Sequence, residues 1–382
     1  MKVQQFSLDT SGSIEDLVAG LTLFDPHLIL GFARFDLIKS LALPSRIATA
    51  MPKAISVGCS TDGAISAANA ICDTAVVTAI RFERPDLAVA ATEVANMSDS
   101  EDAGARVGAA IRARKPHTVM LLGQGVDLNG SAVIRGLRRE LGPDVTLIGG
   151  LANDGGKFAE TLVYVGADVA ANKMVAIGFC DPNLVVSHGS VGGWCPFGAV
   201  RRVTRASGNV LYELDGEPAL AIYKRYLGDQ AAHLPGSALL FPFSMLDHVA
   251  QETGVTRTIL GIDEAAGSIT LAGEIVEQGY LRLMCANHED LINGAELAAE
   301  EARGPADSTQ STSFALLVSC IGRLMTLGQR AEEEVDAVGA ILGSQCLLTG
   351  FYSNGEISAR SSTPEQQLHN QTMTVTRFRE AA

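Results

Sequence analysis

The chain has 382 residues, of which 47% are hydrophobic and 19% charged, with 39 glycines and a formal net charge of −14. That length exceeds what one hydrophobic core usually serves, so two domains or one large duplicated one is expected, in a turn-rich α/β protein rather than a disordered chain. The acidic balance argues against a nucleic-acid or anionic-membrane surface, which needs a clustered basic footprint, and the short basic runs at 135–139 and 201–205 read as solvated faces.

In chain order, the N-terminal "MKVQQFSLDTSG" lacks the apolar stretch of a secretory signal. No uncharged run approaches the ~18 residues of a membrane helix, so a cytoplasmic protein without membrane insertion is expected. An apolar run "HLILGF" from His27 is followed by a helical stretch from Ser40, by "AISV", and then by "GCSTDGAIS" at 58–66. The same order returns twice: "TVMLLG", "LNGSAVIRGLRREL" and "VTLIG" lead to "GLANDG" at 150–155, and "FALLVSC", "RAEEEVDAVGAIL" and "CLLT" lead to "GFYSNGEIS" at 350–358. Each unit predicts strand, helix, strand and a glycine loop, a βαβ unit with strands buried on both faces.

Helices at 104–114 and 294–303 carry small residues at helical spacing, which predicts close packing onto a sheet. The alternating stretches 75–96, 160–179, 203–214 and 255–284 predict antiparallel strands, with hairpin loops at Gly166 and Asp263. The helix in "EPALAIYKRYLG" is the predicted entry to the second half, giving domains at 1–217 and 218–382. The fold class is therefore α/β: two related mixed domains with duplicated βαβ units and antiparallel hairpin additions.

The glycine loops leave the carboxyl ends of strands, where α/β sheets bind ligands. Asp62, Asp154 and Asn354 precede glycine and fit tight turns in the left-handed region, so the glycines are assigned to architecture and the variable residues between them to function. "GGLANDGGKF" is no phosphate loop, because an extra glycine displaces Lys157 and Phe158 stands where the hydroxyl belongs. Seven cysteines, Cys59, Cys72, Cys180, Cys195, Cys285, Cys320 and Cys346, form no C-x-x-C pair, so neither a disulfide framework nor a zinc site is indicated. The alternate acids Glu213, Asp215 and Glu217 read as a turn entering a helix rather than a metal site.

"GCSTDGAIS", "GGLANDGGKF", "HGSVGGWCPFG" with "VTRASGNVLYELDGEPALAIYKRYLG", "SCIGR", "GFYSNGEIS" and "HNQTMTV", in this order, resemble the FIST family of bacterial sensory proteins over nearly the whole chain. The resemblance implies an N-terminal and a C-terminal FIST domain that bind a small ligand, in the family proposed to be an amino acid, and inform signalling proteins. Many relatives fuse the pair to a kinase, cyclase or chemotaxis output. This chain is expected to signal instead through a separate partner, such as a histidine kinase or cyclase. A stand-alone subgroup, the nitric-oxide-sensing haem proteins called NosP, is similar in length and makes haem the alternative to an expected absence of cofactor. His188 is then the first candidate ligand, ahead of His248 and His288 in more polar contexts.

Arg323 and Cys320 in "SCIGR" are expected on a loop at the same sheet edge as Tyr352, Asn354 and Glu356. There the Arg323 fork would match a carboxylate and Glu356 an ammonium, the two ends of a zwitterion, unless the two residues pair with each other or hold their loops. Trp194 and Asp154 complete the expected ligand site, Trp194 either stacking on the ligand or packing in the core. No base is placed for catalysis, so a non-enzymatic sensor is expected, with covalent chemistry at Cys320 and Arg323 as the enzyme alternative.

Overall fold

The computed structural model describes residues 1–9, 12–66, 69–71, 73–234, 236–304, 312–360 and 363–381. The first unit runs β1 (Lys2–Leu8), α1 (Ile14–Phe24), β2 (Leu28–Ala33), α2 (Phe35–Ser40), α3 (Leu43–Ala50), β3 (Ile55–Ser60), β4 (Ala64–Ser66), β5 (Asn69–Ile71) and β6 (Ala75–Arg81). The second repeats it as β7 (Leu87–Glu93), α4 (Ser100–Ile111), β8 (Thr118–Gly123), α5 (Gly130–Leu141), β9 (Thr146–Leu151), β10 (Val163–Val165), β11 (Asp168–Ala170) and β12 (Lys173–Phe179). A third begins with β13 (Leu184–Val191) and is then interrupted.

The interruption is a separate lobe of β14 (Cys195–Pro196), β15 (Arg201–Ser207), β16 (Val210–Leu214), β17 (Glu217–Pro218), α6 (Ala219–Leu227), β18 (Phe243–Leu246), β19 (Glu252–Arg257), β20 (Ile259–Asp263), β21 (Ser268–Leu271) and β22 (Tyr280–Cys285). Its antiparallel strands join one nine-stranded sheet, with its own core around Leu211, Tyr223, Phe243 and Leu281. The third unit then resumes with α7 (His288–Arg303), β23 (Ser313–Cys320), α8 (Ile321–Leu327), α9 (Ala331–Leu342), β24 (Cys346–Ser353), β25 (Gly355–Arg360), β26 (Thr363–His369) and β27 (Met373–Glu380).

Three sheets follow from the three units, ordered β1-β6-β2-β3-β10-β11, β7-β12-β8-β9-β25-β26 and β13-β27-β23-β24-β4-β5. In each, two parallel strands form the centre and the unit's last strand returns antiparallel beside them. The hairpin at each far edge comes from a different unit. The first unit lends its hairpin to the third, the second to the first and the third to the second, a closed exchange with threefold character. One face of all three sheets meets in a shared core containing Phe32, Met120, Phe179, Phe314, Phe351 and Phe378, in which Phe314 stacks on Phe378 at 4.5 Å between centroids. Each unit's helices cover its outer face.

This exchange explains the repeated glycine phrase. Each copy marks where the chain leaves its own sheet, and its first glycine pairs with a hairpin from another unit: Gly58 with Tyr164, Gly150 with Glu356, and Gly350 with Ile65. A Cβ on Gly58 would lie 1.8 Å from the Gly31 carbonyl oxygen, and one on Gly350 1.8 Å from that of Leu317, so close backbone approach is what requires glycine. The left-handed turn expected of the acidic or amide residue is not there. Neither Asp62, Asp154 nor Asn354 has positive φ, and of the glycines that follow them only Gly155 does, at 74°.

The helix with small residues at 104–114 packs onto its sheet through Ala103, Val107 and Ile111, and its glycines serve a further contact. Gly104 and Gly136 let α4 and α5 touch backbone to backbone, a Cβ on Gly136 falling 1.9 Å from the Glu101 carbonyl oxygen. Its counterpart α7 likewise packs on a strand, through Ala298 against Gly189 of β13. The acids Glu213, Asp215 and Glu217 each take their own arginine, Arg205, Arg201 and Arg225, and do not converge. Cys72 lies outside the described residues. No helix among them is long and apolar enough to cross a membrane.

Candidate functional site

At the carboxyl ends of the parallel strands the three phrases tie to one another. The Asn153 amide donates to Asn354 Oδ1 at 2.7 Å and its own Oδ1 accepts from Gly155 N–H at 2.7 Å. Thr61 Oγ1 donates to the Tyr352 carbonyl at 2.8 Å, and Asn354 Nδ2 to the Gly125 carbonyl at 3.2 Å. These side chains are buried, so they hold the crossing together.

Around this crossing the expected residues fall into separate environments. Arg323 is not on a loop: β23 ends at Cys320 and Arg323 sits in the first turns of α8 with its side chain fully buried. Its Nε and Nη2 donate to Glu334 of α9 at 3.0 and 2.7 Å, while Nη2 also donates to the Leu291 carbonyl at 2.8 Å and Nη1 to that of Gly192. The guanidinium fork is thus filled by the protein. Glu334 is the residue the sequence reading missed, and it also accepts from Ser319 Oγ at 3.0 Å and Tyr352 Oη at 2.6 Å. The signal was present: Ala331, Glu334, Val335, Val338 and Leu342 form one buried helical stripe, with a carboxylate where an apolar residue is due.

Tyr352 accordingly turns its hydroxyl inward and has no exposed ring. Glu356 is equally buried and accepts from Ser353 Oγ at 2.7 Å and from Thr372 N–H and Oγ1 at 3.1 and 2.9 Å. Burial pushes its carboxyl up to about 7, against the pull of those donors and of Arg323. Cys320 is buried too. Desolvation and then Glu356 raise its pKa, outweighing the lowering expected from Arg323 and leaving a thiol rather than a nucleophilic thiolate.

A second group does line an open crevice, of about 520 Å³, at the carboxyl end of the first unit's strands. Arg34, Asp36, Asp62, Asp154, Lys157 and Glu160 border it. Asp154 is an organiser: its carboxylate accepts from the N–H groups of Phe158, Ala159 and Glu160 at 3.0, 2.7 and 3.1 Å. Those donors are spent on the loop itself, which removes the cradle a phosphate would need and fixes Lys157 at the rim. Arg34 is already held by Asp36 and Asp73, whereas Lys157 and Asp62 make no ion pair among the described residues. Asp62 is half-buried, and desolvation raises its pKa while Lys157 and Arg34 lower it.

Trp194 is half-buried, with Nε1 donating to the Gln371 carbonyl at 2.8 Å, and it borders a cleft between β13 and the inserted lobe. It also packs against the third unit's outer core. His188 lies on β13 opposite Thr376; burial lowers its pKa, and nearby Glu301 opposes that shift. His188 is not among the residues that line that cleft, whose Ser190, Ser244, Glu252, Thr256 and Glu301 are the hydroxyls and carboxylates that a haem face disfavours. The lining of this cleft does not fit a haem.

Three repeated α/β units with strand-end crevices and an inserted antiparallel lobe define a mixed α/β architecture. The FIST N domain matches residues 27–217 and the FIST C domain residues 219–359, so the chain belongs to the FIST family, whose domains are sensory and serve signal transduction. No curated protein matches the chain significantly. The two family models meet inside the inserted lobe, so the family halves and the structural repeats divide the chain at different places.

Proposed function

We propose that the chain is a non-catalytic sensor that binds a small zwitterion of the amino-acid class in the first unit's crevice and passes its occupancy to a separate signalling protein, a histidine kinase or cyclase. The observation that carries this reading is that Lys157 and Asp62, which make no ion pair among the described residues, face one crevice of about 520 Å³ at the carboxyl ends of parallel strands. Asp62 supplies the charge for an ammonium, and Lys157 the charge for a carboxylate. A ligand that brings its own ammonium also relieves the desolvation that lifts the Asp62 pKa. Because the crevice joins the loops of the first two units, occupancy bears on the crossing through Asn153 and Asn354.

A thermal-shift panel of amino acids and related zwitterions tests this. A ligand at ~100-fold excess over Kd adds about 2.7 kcal/mol to stability, a readable rise in melting temperature. Lys157→Ala and Asp62→Asn are each expected to abolish most of that rise. A panel without a single shift, or a shift untouched by both variants, removes the reading.

Haem is expected not to bind. Titration of the protein with hemin should yield no stoichiometric Soret band, and a band that disappears in His188→Ala would establish the haem sensor instead.

A further inference from the structure

The cleft between β13 and the inserted lobe has a different chemistry from the first unit's crevice. It encloses about 540 Å³, within the range of small-molecule sites. Two carboxylates border it, Glu301 from α7 and Glu252 from β19, and no lysine or arginine is among its described lining residues. Glu301 spends one oxygen on the Ser190 N–H at 3.2 Å, and Arg282 reaches Glu252 only at 3.5 Å. Trp194 forms a wall, held in place by its bond to the Gln371 carbonyl. Ser190 is only 3% exposed and its Oγ has no hydrogen-bond partner, although it borders the cleft. A buried hydroxyl without a partner carries a desolvation penalty, which a ligand group at this position relieves.

A carboxylate with no ion pair among the described residues, Glu301, a second whose only cation, Arg282, stands at 3.5 Å, an indole wall and a waiting hydroxyl together select one ligand class. We propose that this cleft is a second binding site, for a small organic ammonium, with Glu301 and Glu252 neutralising the cation, Trp194 stacking on it and Ser190 Oγ bonding to an N–H or hydroxyl of the ligand. Cation attraction to an indole face supplies a preference over neutral molecules of the same shape. The site spans the seam between the third unit and the inserted lobe, so its occupant holds the two together. Neither Lys157 nor Asp62 lines it, so this site and the zwitterion crevice stand or fall separately.

Trp194 is the chain's single tryptophan, so its emission reports this cleft alone. Putrescine and tetramethylammonium are the probes, with 1,4-butanediol as the neutral control. Both cations are expected to change the emission saturably and the diol is not. In Glu301→Gln the apparent Kd should rise about tenfold or more, with Ser190→Ala giving a smaller increase for putrescine alone. Circular dichroism confirms that the variants keep their fold, and calorimetry with Trp194→Phe supplies a readout that does not depend on the fluorophore. The proposal is overturned by an equal response to the diol, by no saturable response at tens of millimolar cation, or by wild-type affinity in both Glu301→Gln and Glu252→Gln.

Discussion

Replacing Glu334 by Ala is expected to lower the unfolding free energy by about 3–5 kcal/mol, the cost of stranding a buried cation. Arg323 and Glu334 are both without exposed side-chain surface, and their contact at 2.7 Å is closed on every side by protein. Removal of the carboxylate leaves Arg323 donating to the Gly192 and Leu291 carbonyls, takes the acceptor from Ser319 Oγ, and takes from Tyr352 Oη its shorter acceptor, at 2.6 Å against 3.4 Å for the Ala331 carbonyl. The group joins β23, α8, α9, β24 and the chain just before Trp194, so the loss should be cooperative and visible as a shift in the urea midpoint at unchanged slope. Arg323→Met with Glu334→Leu, which removes both charges together, should recover much of the deficit, because the penalty lies in the unpaired ion rather than in the missing bridge. A Glu334→Ala protein within about 1 kcal/mol of the parent would show that water or rearrangement already satisfies Arg323, contrary to the packing described.

The same group shows what the sequence could and could not display. Strand, helix, strand and glycine phrase are written in the periodicity of each unit, and the hairpins at Gly166 and Asp263 are written in their turn residues. Which sheet a hairpin joins is not written there. Ile65 and Ala64 have the same local pattern whether they pair within their own unit or, as they do, with Gly350 and Phe351 nearly three hundred positions away. The third unit was legible from β23 onward, but its first strand, β13, was hidden by a different cause, since the whole inserted lobe separates it from α7.

Site residues were harder to read than elements because charge alone does not reveal its partner. Arg323 and Glu356 carry the right groups for a zwitterion, yet the helical stripe that includes Glu334 supplies Arg323 with a carboxylate from within, and Ser353 and Thr372 enclose Glu356. Lys157 was legible only as a failed phosphate loop. Its relation to Asp62 depends on Asp154 folding the intervening loop back on itself, a tertiary fact.

Glu356 should make the protein less stable as pH rises from about 4.5 to about 7. In the unfolded chain its carboxyl ionises near the ordinary value of 4.5, whereas in the fold it keeps its proton up to about 7. Between those values the folded state binds more protons than the unfolded one, so unfolding free energy falls with pH, and at ~1.4 kcal/mol per unit the total is about 3 kcal/mol. Below the window both states are protonated and the penalty vanishes. Glu356→Gln imitates the protonated form: its oxygen accepts from Thr372 and its amide donates to Ser353 Oγ, whose hydroxyl can rotate to receive it. Relative to the parent, the variant is expected to gain up to about 3 kcal/mol at pH 8 and little at pH 4.5. Urea melts of both proteins at the two pH values give this as a double difference, in which the other titrating groups cancel. A double difference near zero would mean that Glu356 ionises normally inside the fold. A gain confined to high pH would instead show that the protein retains a buried acid at a cost, opposite Gly150 and beside the loop crossing where the three units meet.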